Sequence, residues 1–215
     1  MTKRLSSVAF LLAFVISYGQ NTYKFDYVLE YELEHDAETG KVHSHKYYYF
    51  INSADNSAMF LVSEDNDEVR MRLQTEKGKF FYSTMPREDF FVEAISLKCP
   101  GSGSFPNEPK LSDYEVEVAA DTVINTQRYK HRVLKPQKDK LPTEHYIIES
   151  NPLFSKPVLA PFELGFRFWK KGANIPAGLL KEWYSQDKDG KITAKLKLLQ
   201  FIKLKKIIMV DKNCK

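Results

Sequence analysis

The sequence predicts a mainly β protein, a curved open antiparallel sheet with one or two helices on its concave face. Three observations carry this. In residues 23–34, YKFDYVLEYELE, apolar or aromatic side chains occupy every odd position (Tyr23, Phe25, Tyr27, Leu29, Tyr31, Leu33), and every even position but Val28 is charged. Period-two alternation of this length defines a half-buried strand, and a strand of about 40 Å suits an open sheet better than a compact sandwich. Secondly, short apolar runs recur downstream between polar turns rich in Gly, Asn and Asp, the rhythm of a meander. Thirdly, AKLKLLQFIKLKKIIMV, residues 194–210, reads as a strand although its composition suggests a basic amphipathic helix. On a helical wheel its lysines scatter and leave no apolar stripe. On a strand Lys195, Lys197, Lys203 and Lys205 share one face, and Leu196, Leu198, Ile202, Leu204 and Ile208 share the other. Gln200, Lys206, Leu199 and Phe201 break the pattern, and a bulge near Leu199–Phe201 accounts for part of this.

The elements follow in order. DAETGK is a turn in which Gly40 supplies positive φ, and VHSHKYYYFIN returns as the second strand. AMFLV, VRMRLQ and FFYSTM continue the meander. PREDFFVEAISLK opens with Pro86 and two acids, which favours a short helix, with a strand as the alternative. CPGSGSFPNEPK reads as a loop. YEVEVAADTVINTQRYKHRVLKP holds two or three strands, and EHYIIES one more. APFELGFRFWKKG is helical: Pro161 fits the first turn, Phe162, Phe166 and Trp169 share a face, and Gly172 closes the end. IPAGLLKEWYSQ leads into a strand, and DKDG turns it back into the lysine-rich strand.

The chain has 215 residues, 43% apolar and 13% aromatic, including 12 Tyr and 15 Phe. That is enough for one packed domain and hardly for two. Lys3 and Arg4 precede an apolar run from Val8 to Ile16, and Ser17 and Gly19 are small residues flanking a cleavage point before Gln20. Residues 1–19 thus read as a signal peptide, leaving a single β-rich domain over 20–215 that is periplasmic or secreted. No later stretch is long and apolar enough for a transmembrane segment. Lys3 and Arg4 account for half of the net charge of +4, so the remainder is near neutral and argues against a nucleic-acid partner. Two cysteines, Cys99 and Cys214, meet an oxidising compartment either as a disulfide, worth on the order of 4–5 kcal/mol, or as two free thiols.

Catalytic signatures are missing. The sequence has no GxSxG, HExxH or CxxC motif, and SQDKDGKITAKL departs from a calcium loop at Ser185 and Leu196. His43 and His45 share a strand face near His35, but no carboxylate is placed to complete a metal site, and surface histidines are the expectation. No cofactor is expected. The aromatic faces stand out instead: Tyr23, Phe25, Tyr27 and Tyr31 on one strand, Tyr47 to Phe50 on the next. They are either a packed core or a partly open trough for an acyl chain. In the trough reading Tyr27 and Tyr31 contact the ligand, while Phe162, Phe166 and Trp169 point down from the covering helix.

The order of elements, with DTVINTQRYKH at Asp121–His131 and IPAGLL at 175–180, resembles the GLPGLI family of secreted proteins from Gram-negative bacteria. It also resembles the LolA-like half-barrel. Two departures are visible: Ala177 intervenes between Pro176 and Gly178, and His131 stands where that family often has Cys. The resemblance implies a half-barrel whose concave sheet holds a lipid, and it brings no catalytic residues. The expected function is noncatalytic binding of a hydrophobic or lipid-like ligand in the cell envelope. The alternatives are a structural or protein-interaction module with a fully packed sheet and, further off, a hydrolase without a recognisable motif.

Overall fold

The structure is a computed structural model that describes residues 19–36, 42–55, 57–75, 79–98, 100–104, 110–160 and 163–211. Residues 1–18 of the expected signal peptide, the turn at Gly40, Cys99, Phe162 and Cys214 lie outside the described residues.

The described residues form a sheet of fourteen strands and two short helices. The strands are β1 (Gln20–Asp36), β2 (Val42–Ile51), β3 (Ala58–Asp65), β4 (Glu68–Thr75) and β5 (Lys79–Pro86), followed by helix α1 (Arg87–Phe90). Next come β6 (Ala94–Leu97), β7 (Gly101–Ser104), β8 (Tyr114–Val118), β9 (Thr122–Ile124), β10 (Gln127–Pro136) and β11 (Thr143–Glu149). The chain finishes with β12 (Pro157–Val158), helix α2 (Leu164–Lys170), β13 (Gly178–Gln186) and β14 (Ile192–Asp211). The order across the sheet is β7-β5-β4-β3-β2-β1-β14-β13-β11-β10-β8, so the expected open, largely antiparallel sheet is what forms. The first and last long strands pair at its middle, and a wing extends on each side.

Two apolar cores form on this sheet. One, under α2, gathers Leu29, Tyr31, Tyr49, Tyr146, Phe166 and Leu180. The other, under α1 and β6, gathers Phe25, Phe50, Phe60, Met71, Phe90 and Ile208. Successive residues of β2 and β3 point alternately into the two: Tyr49 and Ile51 into the first, Phe50 into the second. A strand buried on both faces needs apolar side chains at consecutive positions, which is why YYYFI and AMFLV are continuous runs.

The lysine-rich segment is a strand of 20 residues, as its pattern predicts. Its register against β1 slips at Leu199, where Gln200 faces Glu30 and Leu198 faces Tyr31, and again beside Asp26. The first slip is the expected bulge. It also corrects the expectation that four lysines share one face. Lys195 and Lys197 lie opposite Glu34 and Glu32, whereas Lys203 lies opposite Tyr27. Cross-strand partners share a face, so the bulge moves Lys203 to the other side.

Lys206, the other exception to the pattern, is buried, and its ammonium donates to the carbonyls of Phe90 and Val92 while lying 4.0 Å from the Phe90 ring centroid. Burial pushes its pKa down to about 8. These bonds satisfy carbonyls at the end of α1, which stops after one turn. Ile95 and Leu97 then alternate into the second core as β6, parallel to β14. The segment 86–98 is therefore helix first and strand after. The loop expected at 99–110 holds a further strand, because the edge of β5 offers unpaired backbone groups that 101–104 takes up.

Candidate functional site

A cavity of about 1230 Å³ opens on the α2 side of the sheet. One wall comes from β2 to β5, and the opposite wall from β11, β13 and β14, with Glu163 and Leu164 reaching in from the start of α2. Walls from both wings around one space require the sheet to curl. The register shows how the near wall is built. Tyr82, Arg72, Leu61 and Tyr49 form one row across β5, β4, β3 and β2, and Thr84, Arg70, Ser63 and Tyr47 form the adjacent row. On the far wall Leu196, Trp183 and Tyr146 are cross-strand neighbours. Aromatic and aliphatic side chains dominate both walls.

Helix α2 sits close to the sheet because residue 165 is glycine. A Cβ there would lie 2.8 Å from the Tyr146 ring. The Gly165 amide instead donates to the Tyr146 hydroxyl at 3.3 Å.

Two carboxyls belong to the α2 end. Glu144 accepts from the Trp183 indole and, at 3.4 Å, from the Ser185 hydroxyl, and burial still pushes its pKa up to about 7. Glu163 is raised further by burial, to about 8. The residue as a whole is only half-buried, but its Oε2 is buried and has no hydrogen-bond partner. The buried phenols of Tyr31, Tyr49 and Tyr146 are pushed upward, first by burial; the Glu163 charge comes next for Tyr49 and Tyr146, and after Tyr49 for Tyr31. Both carboxyls ionise in the unfolded chain near 4.5, well before they do in the folded one. At these two sites the folded state therefore holds more protons between those values, and their contribution to stability falls as pH rises from about 4.5 to about 8. Glu163→Gln should remove its share of that loss, on the order of 1–3 kcal/mol, so that the variant gains on the wild type as pH rises. Urea midpoints at pH 5 and 8.5 check this, and an unchanged difference between the two proteins would contradict it.

The expected ligand contacts are placed as follows. Tyr31 is 1% exposed, and its hydroxyl donates to the Leu180 carbonyl at 2.8 Å. Tyr27 is half-buried and stacks on Phe201 with ring centroids 4.6 Å apart. Phe166 is buried in the core under α2 with Trp169 against it, so the helix covers the face on which Tyr31 lies. None of these four lines the cavity, which opens farther along the sheet at Leu33, Tyr47 and Tyr49. Tyr47 and Tyr49 belong to the aromatic run of the second strand, and their register opposite Tyr31 and Leu29 is what places them. Glu163 and the Arg70–Arg72 pair carried no sequence signal of a site beyond alternation with buried Val69, Met71 and Leu73.

The histidines lie elsewhere. His35 stacks against His43 and His45, both exposed, and among the described residues no group of three or more His, Cys, Asp or Glu side chains could hold a metal ion. His131 lies 3.0 Å from His145, which lies 2.9 Å from the Gln186 amide oxygen, on the face opposite Glu144 and Tyr146. Among the described residues no helix is long and apolar enough to cross a membrane.

No family model matches the sequence, so the resemblance to the GLPGLI family finds no support there, and no curated protein matches it. Solved structures do show similarity. An uncharacterized conserved protein from Thermus thermophilus aligns with a TM-score of 0.44 and 8% identity, over 82% of this chain and 78% of that one. A LolA superfamily protein from Nitrosomonas europaea aligns with a TM-score of 0.36 and 10% identity, over 82% and 85%. The Pseudomonas aeruginosa MucA/MucB complex aligns with a TM-score of 0.38 and 9% identity, over 83% of this chain and 51% of the other. The chain thus spans about half the length of the MucB structures it matches.

Proposed function

We propose that this is an exported, noncatalytic protein that binds a hydrophobic or lipid-like ligand in the cavity on the inner face of its sheet. The cavity itself carries the reading. At about 1230 Å³ it exceeds the ~300–1,000 Å³ of ordinary small-molecule pockets, and aromatic and aliphatic side chains, chiefly Tyr and Leu, make up more than half of its lining. A fully packed interaction module predicts a filled interior at that position. The buried carboxyls support the same reading. Burial pushes Glu144 up to about 7 and Glu163 up to about 8, so both carry less charge at neutral pH than an exposed carboxylate and meet an apolar chain at lower cost. Export rests on the basic, apolar and small-residue pattern of residues 1–19.

A fluorescent fatty-acid probe tests the proposal. The wild type should bind it and change the emission of Trp183, which lines the cavity, whereas Trp183→Phe should lose that change. Ser63→Trp, which puts a large ring into the cavity from a half-buried position, should weaken the probe by about tenfold or more at unchanged melting temperature. A wild type that binds no apolar probe overturns the proposal, as does a Ser63→Trp variant that binds it unchanged.

A further inference from the structure

The cavity is charged unevenly. Arg70 and Arg72 are two residues apart on β4, so they point to the same face, with Cα atoms about 7 Å apart. Both line the cavity, and Lys98 reaches it from the segment between β6 and β7. Among the described residues no acidic side chain of this wing lines the cavity. Asp65, at the end of β3, pairs with Arg70, yet a guanidinium has five N–H donors and one carboxylate does not occupy them all. Hydroxyls stand beside the two arginines in the cross-strand rows: Ser63 and Thr84 flank Arg70, and Tyr82 adjoins Arg72. At the other end of the cavity Glu144 and Glu163 supply carboxyls, and no cation among the described residues lines it there.

We propose that the ligand is an anionic amphiphile, its carboxylate or phosphate head group held by Arg70, Arg72 and Lys98 and its chain directed toward Tyr146 and Trp183. This rests on the cavity being a binding site for an apolar ligand, and it adds the ligand's charge and its direction. Guanidinium groups take carboxylate and phosphate oxygens in a two-pronged geometry, and the neighbouring hydroxyls add donors. The reverse orientation would set the anion beside Glu144 and Glu163, away from the three cations that line the cavity. A cationic head group at the arginine end would meet three like charges. A neutral amphiphile would leave the three cations without a role in binding.

Three ligands with the same acyl chain separate the possibilities: the free fatty acid, the lysophosphatidic acid and the uncharged monoacylglycerol, each below its micellar concentration. The wild type should bind one or both anionic ligands about tenfold or more tighter than the monoacylglycerol, and that margin should shrink with added salt. Preference for the fatty acid assigns a carboxylate head group, and preference for the lysophosphatidic acid a phosphate. The Arg70→Gln/Arg72→Gln variant should lose the margin while binding the monoacylglycerol as the wild type does. Equal affinity of the wild type for all three overturns the anionic head group and leaves the apolar site standing. Binding of none overturns both. A margin that survives in the double variant places the anion elsewhere and overturns the assignment to these residues.

Discussion

Gly178→Ala is expected to cost more than about 3 kcal/mol, a large share of the ~5–15 kcal/mol that ordinarily holds a domain folded. Gly178 opens β13 with φ at 136°, a backbone conformation that side-chain-bearing residues rarely adopt. A Cβ at this position would sit 2.0 Å from the Glu149 carbonyl oxygen and 3.2 Å from the Ser150 Cα. Both are backbone atoms, so no rotamer change relieves the contact. The strands β11 and β13 would have to part where Leu179 and Leu180 enter the core under α2. Far-ultraviolet circular dichroism and a urea titration read the loss. A variant as stable as the wild type would contradict the close approach. This is the physical content of the IPAGLL segment: its glycine is required where the chain passes against the end of β11.

Tyr31→Ala should cost about 3–5 kcal/mol, the range for emptying a fully buried aromatic site. Tyr31 is 1% exposed, tilts against Tyr49 with ring centroids 5.0 Å apart, and bonds the Leu180 carbonyl. Tyr31→Phe removes only the hydroxyl and should cost about 1 kcal/mol. Tyr27→Ala should cost less than Tyr31→Ala, because Tyr27 is half-buried against Phe201 and Phe154. Urea midpoints of the three variants order them, and a Tyr27→Ala loss equal to that of Tyr31→Ala would contradict this account. Tyr27 and Tyr31 share an alternation pattern, yet one packs at the edge of the core and the other at its centre. Alternation tells which face a side chain takes. It does not tell how much lies above that face.

The same limit governs the rest of the molecule. The strand class is written in the order of the residues, because a period of two over β1 and a lysine pattern incompatible with a helical stripe admit no other regular structure. So is the bulge in β14, since no single register satisfies Leu198, Leu199, Gln200 and Phe201 together, and so is the helix at α2, whose apolar positions recur at helical spacing. Which face of that long strand each lysine takes depends instead on the assembled sheet, because one extra residue at Leu199 reverses every side chain beyond it. Assembly also sets where the interior is filled and where it stays open. The face carrying Tyr31 is closed by α2, and the cavity begins beside it at Leu33, Tyr47 and Tyr49. Arg70 and Arg72 alternate with buried Val69, Met71 and Leu73 on β4, and they line a cavity because distant strands β11 and β13 curl round to face them. A side chain's neighbours within a strand follow from period, but its neighbours across a curved sheet follow from curvature and strand order, which are properties of the whole chain.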